Sequence, residues 1–273
     1  MRTIRGVWAE ALVFYRAEWR YPGAAVVWIV LSLLQPVVML AIWTNVEGIG
    51  GGAAGARLTA YFSMAFVVNN LSYTWLMWDY GDRIRSGDYA LQLLRPGAVV
   101  GRDLALTLGS KLFSGPVALV GGAVMWIVGR AYLDVRWDRA VFFVASLVMA
   151  IVIRFLIEWG LAQLSFWTTR MNAVNGLYFA VQGLASGSFA PLELLPDWFD
   201  TAASLTPFPS MLALPLSLFD DGVSGWVVLG QQALWAALAL LAAVVLSRRA
   251  VARFETGGLR CGSDISSAAS LRC

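Results

Sequence analysis

Arg154 and Glu158 are the two residues of this sequence whose types and spacing best suit chemistry inside an apolar environment. They lie four residues apart in a long apolar stretch, so on a helix both side chains share one face and can pair. A charge in such a place is costly unless it is paired. The pair therefore predicts either a polar element near a substrate path or subunit contact, or a structural ion pair. The sequence leaves both alternatives open.

Further polar side chains lie at comparable depth in the apolar stretches. They predict either the lining of a cavity or hydrogen bonds between neighbouring helices. Together with Arg154 and Glu158, the candidate pathway residues are Asn69, Asn70, Ser72, Gln182 and Ser186. Lys111, about two turns into another apolar stretch, is expected to extend its ammonium group back to the cytoplasmic interface.

The common catalytic and metal-binding groups are missing from the sequence. There is no histidine, and both cysteines, Cys261 and Cys273, lie in the polar C-terminal part. The P-loop pattern, HExxH, CxxC and GxSxG are also missing. We therefore expect no catalytic, cofactor-binding or metal-binding residues, and we expect that the chain is not an enzyme by itself.

The composition indicates an integral membrane protein. Of 273 residues, 59% are apolar and 14% are charged, whereas soluble domains have about 45–50% and about 25%. The net charge of +3 rests almost wholly on arginine, which is typical of cytoplasmic loops of membrane proteins. The lipid bilayer is thus an expected partner, and nucleic acid is not.

The predicted fold is all-α, with six transmembrane helices. An amphipathic helix over residues 2–20 suits the headgroup plane, and short extracytoplasmic helices are expected within 191–224. This single transmembrane domain covers 1–256, and the Ser/Gly-rich tail 257–273 is expected to be a disordered cytoplasmic segment. Since a span needs ~20 residues, the spans are placed at about 24–45, 59–79, 103–129, 140–167, 173–190 and 225–246.

The distribution of arginine predicts the orientation of these spans. With six spans, the two termini and the loops after the second and fourth spans share one side. Fourteen arginines fall on that side and four on the other. The positive-inside rule places both termini in the cytoplasm, with the chain in the plasma (inner) membrane.

The Arg-rich segment 80–102 between the second and third spans is predicted to hold a short cytoplasmic helix that ends at Pro96. A helix with an apolar face and arginine on its rim suits a groove in a partner protein, and the alternative is an ordinary basic loop. The candidate coupling residues are Arg83, Arg85, Gly87, Tyr89, Leu91, Leu93, Leu94, Arg95 and Pro96.

This order of parts resembles the membrane subunit of type-2 ABC exporters, the ABC-2 permease superfamily, over about residues 2–255. The resemblance covers the interfacial helix, the six spans, the cytoplasmic coupling helix, and the short fifth span with small outside helices after it. The stretch IRSGDYALQLLRP at 84–96 is similar to the loop of an uncharacterised, drug- or lipid-exporter-like sub-group. Pro191, Pro196 and the Pro-Phe-Pro run at 207–209 resemble its region before the last span.

The resemblance implies a division of labour between chains. Two copies of an ATP-binding subunit would dock on the cytoplasmic face, where ATP and Mg would bind, so this chain would carry no cofactor. A second permease chain, identical or related, would complete the translocation pathway. Closure of the ATP-binding subunits would push on residues 83–95.

Two other functions remain open from the sequence. An ion-driven secondary transporter would be expected to show inverted repeats and matching broken helices, and no repeat is evident. A non-transporting membrane assembly subunit is compatible with every feature above. The substrate and the direction of transport are not determined by the sequence.

Overall fold

The computed structural model describes residues 2–18, 20, 22–46, 52–93, 99–128, 137–168, 170–220 and 222–267. All regular secondary structure in these ranges is helical, which confirms the predicted all-α class. The helices are α1 (Arg2–Glu18), α2 (Pro22–Thr44), α3 (Gly52–Ser72), α4 (Leu76–Arg85), α5 (Asp88–Leu93), α6 (Val99–Val128), α7 (Trp137–Ala162), α8 (Met171–Ala185), α9 (Asp197–Ser204), α10 (Ala213–Ser217) and α11 (Gly225–Ser267). Short 3-10 turns occupy Gln163–Phe166, Leu192–Leu194 and Pro209–Met211.

Three of the described helices are long and apolar enough to cross a membrane. They contain the stretches Val99–Ile127, Arg139–Phe166 and Gly225–Arg253, and a shorter apolar helix runs over Val30–Thr44. Valine and leucine side chains remain exposed along α2, α6, α7 and α11, as is expected of a surface that faces lipid rather than water. The chain is a membrane-embedded protein, and the full set of six spans stays a prediction.

Several boundaries differ from those predicted. The second predicted span ends early, because α3 stops at Ser72 and a non-helical link over 73–75 precedes α4. At the other end of the chain, α11 continues to Ser267, so residues 257–267 are helical where a disordered tail was expected. This stretch contains no proline, and each glycine costs a helix only about 1 kcal/mol, so the sequence contains no strong helix stop there.

Close helix contacts position the elements around the polar interior. The most extensive contacts join α7 to α11, α1 to α6, and α3 to α6. At the contact of α1 with α6, a Cβ on Gly109 would lie 2.6 Å from the backbone oxygen of Ala11. The amphipathic helix α1 is therefore part of the packed fold, and glycine allows the two backbones to meet.

An apolar cluster joins the short helices α4 and α5 to α7 and α8. Its buried members are Leu76, Met77, Tyr80, Tyr89, Phe155, Trp159, Ala162, Met171, Tyr178 and Ala243. The cluster brings the segment between α3 and α6 against the core of the bundle, so this segment is not a free loop.

Candidate coupling site and buried polar network

Helices α4 and α5 form a hairpin in the segment that joins α3 to α6. The turn between them contains Gly87 with a φ of +81°, a left-handed conformation that glycine adopts without steric cost. The backbone N–H of Ser86 donates to the carbonyl of Asp82 at 2.9 Å, and that of Gly87 donates to Ile84 at 3.3 Å. The chain therefore reverses sharply after α4, and the hairpin is a defined element.

A buried carboxylate fastens this hairpin to the long helices. Asp103, near the start of α6, is fully buried. It accepts hydrogen bonds from Arg83 Nη1 at 2.7 Å, from the Tyr80 hydroxyl at 2.7 Å and from Trp159 Nε1 at 3.1 Å. Arg83 also pairs with Asp79 at 3.0 Å. Three elements, α4, α6 and α7, thus meet at one carboxylate.

The surroundings of Arg83 and Tyr80 raise the pKa of both side chains. Burial lowers the pKa of Arg83, but the adjacent Asp103 and Asp79 carboxylates outweigh burial and raise it above its ordinary value. Burial and the neighbouring Asp103 raise the pKa of Tyr80 well above its usual range. Arg83 is therefore a permanent cation and Tyr80 a permanent neutral donor, and Asp103 receives charge-assisted hydrogen bonds.

The predicted coupling residues divide into an inner and an outer set. Arg83 and Tyr89 are buried, and Tyr89 packs edge-on against Phe166 with ring centroids 5.0 Å apart. Arg83 therefore lies in the interior and not on the rim that the sequence suggested, because Asp103 provides a buried partner. Arg85, Gly87 and Leu91 are exposed, Leu91 by 58%. Arg85 pairs with the exposed Asp82.

The remaining coupling residues are only partly described. The backbone of Leu93 ends α5. The Leu93 side chain and residues Leu94, Arg95 and Pro96 lie outside the described part of the structure.

Arg154 and Glu158 form the predicted ion pair at the centre of the bundle. Both side chains are buried, and Arg154 Nε lies 2.8 Å from Glu158 Oε1. Arg154 Nη1 also donates to Asn69 Oδ1 at 3.3 Å and to Ser72 Oγ at 3.2 Å. The guanidinium carbon lies 5.3 Å from the centre of the Tyr73 ring, within the range of a cation–π contact.

The carboxylate of Glu158 has partners on two further elements. Thr74, in the link between α3 and α4, donates its hydroxyl to Oε2. Tyr178 of α8 donates its hydroxyl to Oε1 at 3.2 Å. Since an ionised carboxylate accepts hydrogen bonds at both oxygens, Glu158 connects α7 to the link before the hairpin and to α8.

A chain of neutral hydrogen bonds continues from this pair toward the end of α8. Asn69 Nδ2 donates to Ser188 Oγ at 3.1 Å, the hydroxyls of Ser188 and Ser186 are 2.9 Å apart, and Gln182 Nε2 donates to Ser186 at 3.2 Å. Asn70 differs, because its amide donates to the Phe66 carbonyl of its own helix at 2.9 Å. Asn69, Ser72, Arg154, Glu158, Gln182 and Ser186 therefore share one network, and Asn70 lies beside it.

Lys111 bonds to the backbone at the end of α3 and of the link that follows it. Its ammonium group donates to the backbone oxygens of Asn70, at 3.1 Å, and Tyr73. These carbonyls lie at the C-terminal end of α3, where backbone acceptors lack helical partners and the helix dipole favours a cation. Lys111 therefore stabilises the C-terminal end of α3.

One small cavity accompanies this network. A cavity of about 30 Å³ is lined by polar groups of Gln35, Asn69, Asn70 and Ser188, and this volume holds about one water molecule. In the described part of the chain, no group of His, Cys, Asp or Glu side chains is arranged to hold a metal ion.

Among the residues of these two sites that were not identified from the sequence are Thr74, Tyr80, Asp103, Trp159 and Tyr178. Asp103 could have been identified from the sequence, since it is an acidic residue at the start of an apolar stretch and charges there need partners. Thr74, Trp159 and Tyr178 are neutral, and nothing in their spacing separates them from ordinary residues of a membrane helix.

Comparisons with known proteins give one match. A family model described as "ABC-2 family transporter protein" matches residues 26–258. No curated protein and no solved structure matches the chain. The matched region contains the hairpin α4–α5 and the whole buried network, and it begins after α1.

Proposed function

We propose, from the premise that this chain belongs to the ABC-2 family of transporter proteins, that it is the membrane-spanning permease subunit of an ATP-binding-cassette exporter. In this role it forms the translocation pathway and takes energy from a separate ATPase subunit. Family membership supports a membrane transport component. The export direction, the ATPase partner and the pairing of two permease chains are parts of the proposal.

The observation that carries the proposal is the anchored hairpin. A loop that only connected two spans would need no buried carboxylate, yet Asp103 holds α4 through Arg83 and Tyr80. The same hairpin leaves Leu91, an apolar side chain, exposed by 58%. An apolar residue on a rigid exposed element suits the groove of a partner protein. Because the hairpin is held rigidly by α6 and α7, a force on Leu91 moves the long helices.

The helix order supports a six-span topology with the hairpin on the cytoplasmic side. The spans would be α2, α3, α6, α7, α8 and α11, so the hairpin, the turn after α7 and the C-terminal end of α11 share the Arg-rich side. Helix α8 has 15 residues, about 22 Å at 1.5 Å per residue, which is shorter than the ~30 Å hydrocarbon layer. Its end is covered by the following segment, since the Ala213 N–H donates to the Ser186 carbonyl at 3.1 Å.

Two copies of an ATP-binding subunit, with ATP and Mg on those subunits, and a second permease chain would complete the transporter. Both termini would lie in the cytoplasm, in the plasma (inner) membrane. The exposed face of the hairpin would be the docking element, with Arg85, Gly87 and Leu91 in contact with the ATPase. Arg83 and Tyr89 would transmit force through the interior.

The test is Leu91→Asp, with Leu205→Asp as the matched control. Both leucines are largely exposed, Leu205 by 76%, and Leu205 lies after α9 on the proposed opposite side. The full chain, tagged at its C-terminus, is purified from native membranes, and co-purifying chains are identified by mass together with ATP hydrolysis. We expect an ATP-binding-cassette subunit with the unchanged chain and with Leu205→Asp.

With Leu91→Asp, we expect the ATPase subunit to be lost, or ATP hydrolysis to persist without transport. Equal recovery and equal transport for both variants would refute the role of the hairpin. Recovery of the unchanged chain alone, without ATPase activity, would refute the exporter and favour an ion-driven transporter or an assembly subunit.

A further inference from the structure

A groove lies between α2 and α6 on the exposed side of the bundle. Its volume is about 650 Å³, within the range of about 300–1,000 Å³ that is usual for small-molecule sites. Leu33 and Val37 form the wall on α2, one turn apart, and Phe66 of α3 forms the floor. All the residues that line the groove are apolar. The groove is therefore a site for hydrocarbon and not for a polar ligand.

The packing of three helices explains why the groove exists. Both α2 and α6 pack on α3, and within the described residues α2 and α6 make no extensive contact with each other. Phe66 is 2% exposed and fits against Gly121 of α6, where a Cβ would lie 2.7 Å from Phe66 Cε1 and 3.6 Å from Leu33 Cδ2. Side chains of α2 and α3 thus meet α6 at this glycine, and the backbones of α2 and α6 stay apart beside it.

The wall on α6 is a stripe of valines. Val117, Val120 and Val124 follow one another at helical spacing, so their side chains share one face of the helix. The lining residues of α6 extend from Pro116 to Met125, about 14 Å at 1.5 Å per residue. Val120 and Val124 are 64% and 53% exposed. An apolar wall of this length, exposed along one side, suits an extended hydrocarbon chain.

The surroundings of the groove indicate its occupant. Helices α2 and α6 are apolar helices of a membrane-embedded chain, so the medium around them is the hydrocarbon layer of the bilayer. Water gains nothing in the groove, because a cavity with apolar walls stays dry. The small polar cavity at Gln35 and Asn69 is separate, and Phe66 lines both. The Phe66 ring thus divides the polar interior from the apolar groove.

A helix of another chain is too large for this groove. With a diameter of about 10–12 Å, a helix segment about 14 Å long occupies more than ~1,000 Å³, whereas the groove has about 650 Å³. A lipid acyl chain is thinner, and rotation about its single bonds lets it follow the walls. The volume therefore favours an acyl chain over a helix of a second copy.

We propose that the groove binds an acyl chain of a membrane phospholipid as a resident ligand that joins α2 to α6. Lipid chains are as apolar as leucine, so transfer from the bilayer into the groove brings no hydrophobic gain. The favourable contribution is dispersion, since the chain contacts walls on α2 and α6 and a floor on α3. Lipid on an open helix face contacts protein on one side only, so it exchanges faster. The proposal does not rest on the exporter function.

The test is Val120→Trp, which fills the groove, with Val144→Trp as the matched control. Val144 of α7 is also exposed, by 58%, and it lies outside the groove. The full chains are washed exhaustively in detergent free of phospholipid, and the retained phospholipid per chain is measured by mass spectrometry. The same chains, in vesicles of phosphatidylethanolamine and phosphatidylglycerol, are cross-linked to a phospholipid that carries a diazirine in its acyl chain.

We expect the unchanged chain and Val144→Trp to retain phospholipid and to form adducts mainly along the groove, at residues 33–37 and 116–125. Val120→Trp should reduce the retained phospholipid and the groove adducts by about tenfold, because the indole ring takes the space of the acyl chain. The adduct map of the unchanged chain decides the question even if Val120→Trp does not fold.

Three results would overturn the proposal: no phospholipid retained by the unchanged chain, equal retention in a folded Val120→Trp, or adducts spread evenly over α6 and the exposed face of α7. A second copy in the groove would instead give a disulfide-linked dimer of Val120→Cys on mild oxidation, with Cys261→Ser and Cys273→Ser as background. That dimer would also overturn the proposal. Neither readout uses ATP or transport, so a failure of the exporter function would leave this result unchanged.

Discussion

Replacement of Glu158 by alanine tests whether the buried ion pair supports the bundle. The change leaves the guanidinium of Arg154, which is 2% exposed, without its carboxylate. Removing one partner of a buried pair typically costs about 3–5 kcal/mol, because the other charge stays buried and uncompensated. The hydroxyls of Thr74 and Tyr178 also lose their acceptor, which adds about 1 kcal/mol each.

The expected result is a large loss of thermal stability. A destabilisation of this size corresponds to a fall in melting temperature on the order of 10 °C, measured by intrinsic fluorescence of the detergent-solubilised chain. Asp79→Ala is the matched control, since Asp79 also pairs with an arginine at i+4 but its side chain is 46% exposed. Asp79→Ala should lower the free energy of unfolding by less than about 1 kcal/mol. If Glu158→Ala lowered the melting temperature no more than Asp79→Ala, the inferred role of the pair would be wrong.

The double change Arg154→Leu with Glu158→Leu separates structure from function. Apolar side chains of similar volume often replace a buried ion pair without loss of stability, so the double variant should recover most of the stability lost by Glu158→Ala. Recovered folding with recovered transport would make the pair structural. Recovered folding without transport would show that the network acts in the transport cycle.

Three further predictions concern the anchors of the fold. Asp103→Ala should loosen the hairpin and speed limited proteolysis between α4 and α5, because Arg83 loses its buried partner, whereas the exposed Asp82→Ala should not change the rate. Gly109→Val should displace α1 and lower the free energy of unfolding by about 1–3 kcal/mol through overpacking. This loss would be measured as a lower melting temperature. Valine at a position of α1 with open space around it should have little effect. Lys111→Met should also lower the melting temperature, because two carbonyls at the end of α3 lose their donor. An unchanged value would refute the stabilising role of Lys111 at this helix end.

The sequence predicted the all-α class. The apolar stretches place α2, α6 and α7 to within about five residues, because a run of ~20 apolar residues has few other stable uses. The ion pair of Arg154 with Glu158 followed from spacing alone, since residues four apart on a helix are neighbours. A short helix before Pro96 was predicted from the Arg-rich segment, and α5 lies there.

The partners of these residues did not follow from the sequence. Arg83 has the same local pattern as Arg85, yet Arg83 is buried on Asp103 and Arg85 is exposed. Lys111 has an apolar stem that permits either extension to an interface or a bond to a neighbouring backbone. The choice depends on carbonyls about forty residues away in the chain, at the end of α3.

The sequence by itself thus determined that the chain is helical and membrane-embedded, because burial of apolar side chains and satisfaction of backbone hydrogen bonds are local requirements. Only the tertiary structure decided which polar side chains meet, since the hydrogen bonds that satisfy a buried charge come from helices that are distant in sequence.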